Sequence, residues 1–191
     1  MRRLSTFVTF TMSLLVAVSA LAEGLDSALT IGDPAPSIEV EVLKGEAVDM
    51  AAGRGEQVYV IEFWATWCPP CLKSAPHLSN LQAKLGDKGL KVIGISDEDK
   101  ETVEPFIQDM GSKMEYTVAI DQSRRSHRRY MQPFGLTGIP HAFVVSKAGA
   151  LVWHGHPMDP FLEHLLAVLV EEKMKPAARS SSPNETRESG K

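Results

Sequence analysis

Cysteine and positive charge are both scarce in this sequence, and each scarcity excludes a class of protein. The 191 residues include two cysteines, Cys68 and Cys71. A secreted scaffold stabilised by disulfides carries more cysteines at longer spacings, and a structural zinc site needs four ligands. The 20 basic residues are outnumbered by 24 acidic ones, so the charge does not favour a nucleic-acid partner, which requires clustered Lys and Arg. A single C-x-x-C pair instead indicates redox chemistry.

The amino terminus has the features of an export signal. Arg2 and Arg3 precede residues 4–21, which carry no charge, and residues 20–22 form a small-x-small motif. A basic start, an apolar stretch and a cleavage motif in this order are typical of a secretory signal peptide. We therefore predict a cleaved signal peptide over residues 1–22 and a periplasmic or otherwise exported protein. The alternative is an uncleaved segment, because about 18 uncharged residues are just long enough to anchor the chain in a membrane.

The rest of the chain is long enough for one globular domain with its own core. We expect a linker at residues 23–37, where Pro34 and Pro36 interrupt regular structure. The predicted α/β domain covers residues 38–174. Residues 175–191 are rich in Pro, Ser and charged residues and have few apolar ones, so we expect a disordered tail there.

Hydrophobic periodicity predicts strands that alternate with helices. Period-two or continuous apolar runs predict six strands, over residues 38–42, 58–64, 90–95, 116–120, 142–145 and 150–153. Helical spacing predicts four helices, over residues 69–85, 97–110, 123–131 and 159–173. Asp97 or Asp99 is the expected N-cap of the second helix, and Asp159 that of the last. Alternating strands and helices imply a sheet with a parallel core and right-handed crossovers, to which the last two strands add an antiparallel hairpin.

Cys68 lies at the junction of a predicted buried strand and a predicted helix. A helix N-terminus carries unpaired N–H groups and partial positive charge, both of which stabilise a thiolate. We therefore predict that Cys68 is the more exposed sulfur and the nucleophile, while Cys71, inside the first helical turn, resolves the mixed disulfide. Pro69 and Pro70 suit the first turn and leave no His between the cysteines to stabilise the thiolate further. This favours a reductant over a strong oxidant.

The segment FWATWCPPC at residues 63–71 resembles the active-site segment of the thioredoxin superfamily, in particular that of exported TlpA/ResA-type thiol-disulfide oxidoreductases. Pro76 lies where these proteins carry a Pro that kinks the active-site helix, and residues 138–140, Gly-Ile-Pro, resemble their cis-proline loop. Residues 31–36 resemble the opening of redoxin-type domains. The resemblance implies a thioredoxin fold, an α/β structure whose mixed central sheet has a parallel core, an antiparallel C-terminal hairpin and helices on both faces.

The resemblance also implies roles for residues around the cysteines. Pro140 is the expected cis-proline facing the C-x-x-C, and it leaves the backbone of Ile139 free to pair with an extended substrate. Trp67, Pro69 and Pro70 join Ile139 in the expected substrate-binding rim. The implied partners are thiols or disulfides of exported proteins and an upstream electron donor. The implied enzyme is a monomer of the protein-disulfide reductase type without cofactor or metal, and it meets a membrane only through an uncleaved N-terminus.

Glu62 is the ionisable residue most closely tied to the predicted site. It lies in a predicted buried strand, six residues before Cys68, where thioredoxins carry a buried Asp. Burial raises the pKa of a carboxyl group, so Glu62 is a candidate to relay the proton of Cys71. The alternative is a Glu side chain that reaches solvent from the strand edge. ResA-like proteins also carry a Glu three residues after the second cysteine, where this sequence has Ser74, which leaves Glu62 as the candidate carboxyl group.

Two other activities remain open from the sequence. Cys68, Cys71 and His141 would together form a soft site for Cu(I), as in copper-delivering relatives with a thioredoxin fold. Otherwise His141 is a partly exposed loop residue. A redoxin-type peroxidase requires a Thr three residues before its reactive cysteine and a Pro upstream, whereas Thr66 lies two residues before Cys68 and no such Pro precedes it.

Two polar clusters are ambiguous. His154 and His156 are predicted to lie between the last strand and the last helix, as solvated surface or as a ligand pair. Four arginines between residues 124 and 129 surround His127. They form either a solvated helix face or a docking patch for acidic partners.

Overall fold

The structure of the protein, a computed structural model, describes residues 29–173. The predicted signal peptide at residues 1–22, the first part of the linker at residues 23–28 and the predicted tail at residues 175–191 lie outside the described residues. No helix in the described part is long and apolar enough to span a bilayer.

Six strands form one mixed sheet in residues 29–173. Their bounds are β1 Glu41–Lys44, β2 Val58–Phe63, β3 Leu90–Ser96, β4 Thr117–Ile120, β5 His141–Val145 and β6 Leu151–Gly155. The strand order is β1-β4-β3-β2-β5-β6. Strands β2, β3 and β4 are parallel, while β1 pairs antiparallel with β4, β5 with β2, and β6 with β5. The predicted parallel core and C-terminal antiparallel hairpin are both confirmed.

Four α-helices pack on the two faces of this sheet. Their bounds are α1 Pro69–Leu85, α2 Lys100–Met110, α3 Arg125–Met131 and α4 Pro160–Glu171. Val58 and Val60 of β2 pack in one apolar core with α1, α2 and α4, while Tyr59 and Ile61 pack in a second core with α3. All six side chains of β2 are buried, as expected for a strand covered on both faces. Helices on both faces confirm the predicted α/β fold class.

Side-chain caps set where these helices begin. Asp99 caps α2 by accepting a hydrogen bond from the Thr102 N–H at 2.8 Å, so Asp99 is the correct choice between the two predicted caps. The predicted cap Asp159 accepts in the same way at the start of α4. Helix α3 begins two residues later than predicted, because Arg124 has a left-handed backbone conformation with φ of 55°; the buried Asp121 then accepts a hydrogen bond from the Arg125 N–H at 3.0 Å.

The first strand also begins later than predicted. Strand β1 covers Glu41–Lys44 instead of residues 38–42, because the Glu39 N–H donates to the Ser126 hydroxyl of α3 at 2.8 Å and not to another strand. The apolar side chains on either side of Glu39 still pack against the core beside α3. Alternating hydrophobicity therefore reports which side chains face the core, and it does not require a paired strand.

Candidate active site

Cys68 and Cys71 form a disulfide at the N-terminus of α1. Cys68 is the N-cap, and its Sγ accepts a hydrogen bond from the Cys71 N–H at 3.3 Å. Pro69 and Pro70 occupy the first turn, where a missing N–H costs little. The helix N-terminus and this N–H favour negative charge on the Cys68 sulfur. The predicted difference in exposure is small in this oxidised state, because 3% of Cys68 and 1% of Cys71 is accessible.

The loop before β5 lies against the disulfide. The Ile139–Pro140 peptide bond is cis, as the resemblance implied, and the Ile139 carbonyl oxygen lies 3.8 Å from Cys68 Sγ. Trp67 precedes Cys68 with 70% of its surface exposed. A groove lined in part by Trp67, Thr137 and Ile139 continues from this point. An exposed rim that includes Trp67 and Ile139 therefore adjoins the Cys68 side of the disulfide.

Glu98 was not predicted from the sequence, and it contacts the active-site turn. Its Oε2 accepts hydrogen bonds from the Thr66 N–H at 2.8 Å and the Ser96 hydroxyl at 2.9 Å, and its Oε1 accepts one from the Thr66 hydroxyl at 2.7 Å. Both carboxyl oxygens of Glu98 thus bind Thr66, which lies two positions before Cys68. The signal in the sequence was the place of Glu98 just after β3, whose carboxyl end adjoins that of β2 in the sheet.

Glu62 is buried under α1, and 1% of the residue is exposed. The alternative of a side chain that reaches solvent is therefore wrong. Burial raises the pKa of Glu62 to about 8, while the hydroxyls of Ser74 and Tyr116 act in the opposite direction. A carboxyl group with this pKa is mostly protonated at neutral pH, and it can both give and accept a proton.

Ser74 links Glu62 to the turn that contains Cys71. The Ser74 Oγ lies 3.0 Å from Glu62 Oε1 and 2.8 Å from the carbonyl oxygen of Cys71. A serine hydroxyl has one hydrogen to donate, and a carbonyl oxygen can only accept. When Ser74 donates to the Cys71 carbonyl, the contact with Glu62 requires a proton on Glu62. When Glu62 is ionised, the Ser74 hydroxyl has to turn towards it.

His141 pairs with His154 on the face of the sheet that carries α3. The His141 Nε2 and His154 Nδ1 atoms are 3.0 Å apart, and both rings contact Phe143. Burial, with a smaller contribution from the neighbouring imidazole, lowers the pKa of His141 to about 4. Because β6 extends to Gly155, the prediction that His154 lies after the last strand is wrong. In residues 29–173, no group of three or more Cys, His, Asp or Glu side chains is arranged to hold a metal.

Carboxylates hold most of the arginines of the predicted docking patch. The Arg124 guanidinium pairs with Asp97 at 3.2 Å, and those of Arg125 and Arg129 both pair with Glu39 at 2.6 Å. The two pairs with Glu39 connect α3 to the segment before β1, and the pair with Asp97 connects the start of α3 to the end of β3. The arrangement favours a structural role for the basic run over the docking of acidic partners.

Comparison with known proteins agrees with this fold and site. The sequence matches the AhpC/TSA family over residues 31–154, which is more than half of its length, so the chain belongs to the AhpC/TSA family. It is 31% identical over 125 residues to the thiol-disulfide oxidoreductase ResA of Bacillus thuringiensis (strain Al Hakam), covering 65% of this chain and 68% of that protein. It is 24% identical over 135 residues to the ResA of Bacillus subtilis (strain 168), covering 70% and 71% of the two chains.

A solved structure extends the similarity to three dimensions. The crystal structure of a thiol-disulfide isomerase from Corynebacterium glutamicum matches with a TM-score of 0.62 and 25% sequence identity, covering 78% of this chain and 99% of that one. With the cysteine pair at the start of α1, these similarities confirm the predicted thioredoxin fold and the prediction of a thiol-disulfide oxidoreductase.

Proposed function

We propose that the protein reduces disulfides of exported proteins, with Cys68 as the nucleophile and Cys71 as the resolving cysteine. The observation that carries this proposal is the position of Cys68 Sγ, which caps α1, accepts the Cys71 N–H and adjoins the open rim of Trp67 and Ile139. Cys71 lies inside the first helical turn, and the Ile139 carbonyl oxygen contacts the Cys68 sulfur. A partner disulfide therefore meets Cys68 first.

The reaction is a two-step thiol-disulfide exchange. The Cys68 thiolate attacks one sulfur of the partner disulfide, which releases the other partner sulfur as a thiolate and forms a mixed disulfide. The Cys71 sulfur then attacks Cys68 Sγ and releases the first partner sulfur. The partner has gained two electrons, and the Cys68–Cys71 disulfide remains. An upstream thiol donor reduces that disulfide by the same steps in reverse.

Glu62 serves Cys71 as the proton partner in both directions. Its raised pKa and its link through Ser74 to the Cys71 turn support this role. When the disulfide is reduced, protonated Glu62 gives its proton to the Cys71 sulfur. When Cys71 attacks the mixed disulfide, the Glu62 carboxylate takes the thiol proton.

The rim provides the substrate contacts. Trp67 contributes exposed aromatic surface, Pro69 and Pro70 form the first turn next to Cys68, and the cis peptide before Pro140 directs the Ile139 backbone to the disulfide. An extended substrate pairs with that backbone, so recognition depends little on the substrate's side chains. The apolar Ile139 and the absence of His between the cysteines favour reduction over oxidation.

The cellular context follows from the N-terminal prediction. A cleaved signal peptide at residues 1–22 places the domain of residues 38–174 in the periplasm or another exported compartment, and an uncleaved segment anchors it to a membrane. The domain acts as a monomer without an organic cofactor. Neither nucleic acid nor membrane is a partner of the folded domain.

Trapping of mixed disulfides tests the cysteine roles. Cys71→Ser should form a stable mixed disulfide with 5,5′-dithiobis-(2-nitrobenzoate) in vitro and with exported proteins in cells, because no second thiol resolves it. Cys68→Ser is the matched control and should trap few partners. Equal trapping by the two variants would contradict the role assignment.

Copper titration tests the alternative of a Cu(I) metallochaperone. Such a site would use Cys68 and Cys71, and its third predicted ligand, His141, is hydrogen-bonded to His154. Because this pairing occupies His141, we expect the reduced protein to reduce disulfides and to bind Cu(I) weakly. Tight stoichiometric Cu(I) binding with negligible disulfide reduction would contradict the oxidoreductase proposal.

A further inference from the structure

Three buried polar atoms close to Glu62 have no hydrogen-bond partner within residues 29–173. They are Oε2 of Glu62, Nε1 of Trp64 and the hydroxyl oxygen of Tyr116. Buried polar groups without partners are rare and destabilising, because they lose their hydrogen bonds to water and form none within the protein. Three of them in one region indicate a function that a purely apolar core would not serve.

The three groups lie close together on the face of the sheet that carries α1. Glu62 pairs in register with Gly94 of β3. A Cβ atom at Gly94 would lie 3.0 Å from Tyr116 Cε2 and 3.1 Å from Trp64 Nε1, so both rings fill the place of a side chain. The Tyr116 hydroxyl acts on the pKa of Glu62, yet it makes no hydrogen bond in the disulfide state. We call Glu62, Trp64, Gly94 and Tyr116 the Glu62 cluster.

We propose that Ser74 and Tyr116 are positioning residues that stabilise the ionised form of Glu62, one at each carboxyl oxygen. The proposal rests on the proposed role of Glu62 and adds the two groups that control it. Ser74 reaches Oε1 from α1. Tyr116 lies just before β4 with its ring against Gly94, the residue of β3 that pairs with Glu62, and both its hydroxyl and Glu62 Oε2 are buried without a partner. Burial and these two hydroxyls are the influences on the Glu62 pKa, and no Lys, Arg or His of the described residues contributes.

The two hydroxyls act when the proton leaves Glu62. Because burial keeps Glu62 protonated at neutral pH, the Ser74 hydroxyl is free to donate to the Cys71 carbonyl in the disulfide state. When an incoming thiolate attacks Cys68 Sγ, the S–S bond breaks, its electron pair moves to Cys71 Sγ, and that sulfur takes the proton of Glu62. The Ser74 hydroxyl then turns to Oε1 and the Tyr116 hydroxyl closes onto Oε2. Both new hydrogen bonds go to a charged acceptor, which makes them stronger than bonds to a neutral one.

Two variants with matched controls test this proposal in the full-length oxidised protein. Ser74→Ala and Tyr116→Phe each remove one hydroxyl from Glu62. Ser79→Ala is the control for the first, because Ser79 is a buried serine of α1 that donates to the Lys113 carbonyl. Tyr130→Phe is the control for the second, because the Tyr130 hydroxyl donates to the Pro36 carbonyl in the core beside α3.

Infrared titration reads the proton on Glu62 directly. The carbonyl stretch of the protonated carboxyl group is followed against pH and assigned by its loss in Glu62→Gln. Ser74→Ala and Tyr116→Phe should each raise the titration midpoint by about 0.5–1 pH unit, a three- to tenfold gain in proton affinity. The controls should leave the midpoint within about 0.2 unit, even where they lower the thermal stability.

The outcomes separate this proposal from the proposed function. Midpoints that move no further in Ser74→Ala and Tyr116→Phe than in the two controls would overturn the positioning roles while leaving Glu62 as the proton partner. Absence of a band that titrates near pH 8 and disappears in Glu62→Gln would overturn the role of Glu62 itself. Neither result depends on mixed-disulfide trapping, which tests the cysteine roles separately.

Discussion

Two carboxyl groups lie beside the active site, Glu98 against the turn that leads from β2 into α1 and Glu62 under α1, and their surroundings are opposite. Glu98 accepts three hydrogen bonds, from Thr66 and Ser96, at the carboxyl end of β3. Glu62 is buried, and Ser74 is its one hydrogen-bond partner among the described residues. A carboxylate with several donors holds the groups that donate to it, whereas a buried carboxyl group with few donors retains a proton at neutral pH. The same residue type thus holds the active-site turn in one place and, in the function we propose, exchanges a proton with Cys71 in the other.

The largest expected difference between the two residues is in the rate of disulfide reduction. At pH 7, Glu62→Gln should slow single-turnover reduction of the Cys68–Cys71 disulfide by dithiothreitol about 10- to 100-fold, because Gln cannot donate a proton to Cys71. Glu98→Gln keeps the Glu62 proton and should slow it by less than about threefold. Stopped-flow tryptophan fluorescence measures both rates. Equal decreases in rate for the two variants would show that Glu62 and Glu98 do not differ in their role in disulfide reduction.

The next largest difference is in how stability depends on pH. The pKa of Glu62 is about 8 in the folded protein and returns to its ordinary, lower value on unfolding. Between the two values the folded state binds more protons than the unfolded state, so the free energy of unfolding falls as pH rises, by at most about 1.4 kcal/mol per pH unit. This loss is complete above pH 8 and absent at low pH.

Urea denaturation between pH 5 and 8 measures that slope. Relative to the wild type, Glu62→Gln should gain about 3–4 kcal/mol in free energy of unfolding from pH 5 to 8, because it lacks the titrating group. Glu98→Gln should show the wild-type slope at a lower overall stability. Parallel curves for the wild type and Glu62→Gln would show that Glu62 does not titrate in the folded protein.

A smaller effect on stability is expected when a methyl group is added within the Glu62 cluster. Gly94→Ala puts a methyl group against Tyr116 and Trp64 and should lower the free energy of unfolding by about 1–2 kcal/mol. Gly138→Ala is the control, because a Cβ atom there meets nothing within 4 Å. Thermal denaturation of the oxidised proteins compares the two. A Gly94→Ala variant as stable as Gly138→Ala would mean that the side chains of the Glu62 cluster are not tightly packed around Gly94.

The smallest expected effect is the loss of the Glu98 contacts. Glu98→Ala removes the acceptor of the Thr66 N–H and should destabilise the protein by about 1 kcal/mol. Faster hydrogen exchange of the Thr66 amide would locate the change in the active-site turn. Exchange of the Thr66 amide at the wild-type rate would contradict the contribution of these contacts.

Local sequence signals predicted the elements that carry the redox pair. The strand-to-helix junction at Cys68, the prolines of the first turn and the cap Asp159 each depend on a few neighbouring residues, so their patterns could be read without knowledge of the fold. The cis-proline loop at Pro140 was found by resemblance. Burial of Glu62 followed from its place in an apolar strand.

Contacts between distant segments could not be predicted in the same way. The Glu98 contact with Thr66 joins residues 32 positions apart, and the pairing of His141 with His154 depends on the register of β5 and β6. Alternation at residues 38–42 correctly indicated which side chains face the core. It did not reveal that the Glu39 backbone bonds to α3, because hydrophobicity reports burial and not hydrogen-bond partners.

The most direct test of the account is the pH profile of disulfide reduction in the wild type, Glu62→Gln and Glu98→Gln. Single-turnover rates with dithiothreitol, corrected for the thiolate fraction of the reductant, are measured from pH 6 to 9. The wild-type rate should fall as pH rises past about 8, where Glu62 loses its proton. Glu98→Gln should keep this fall, and Glu62→Gln should be slow and independent of pH. A fall that persists unchanged in Glu62→Gln would contradict the assignment of Glu62 as the proton partner of Cys71.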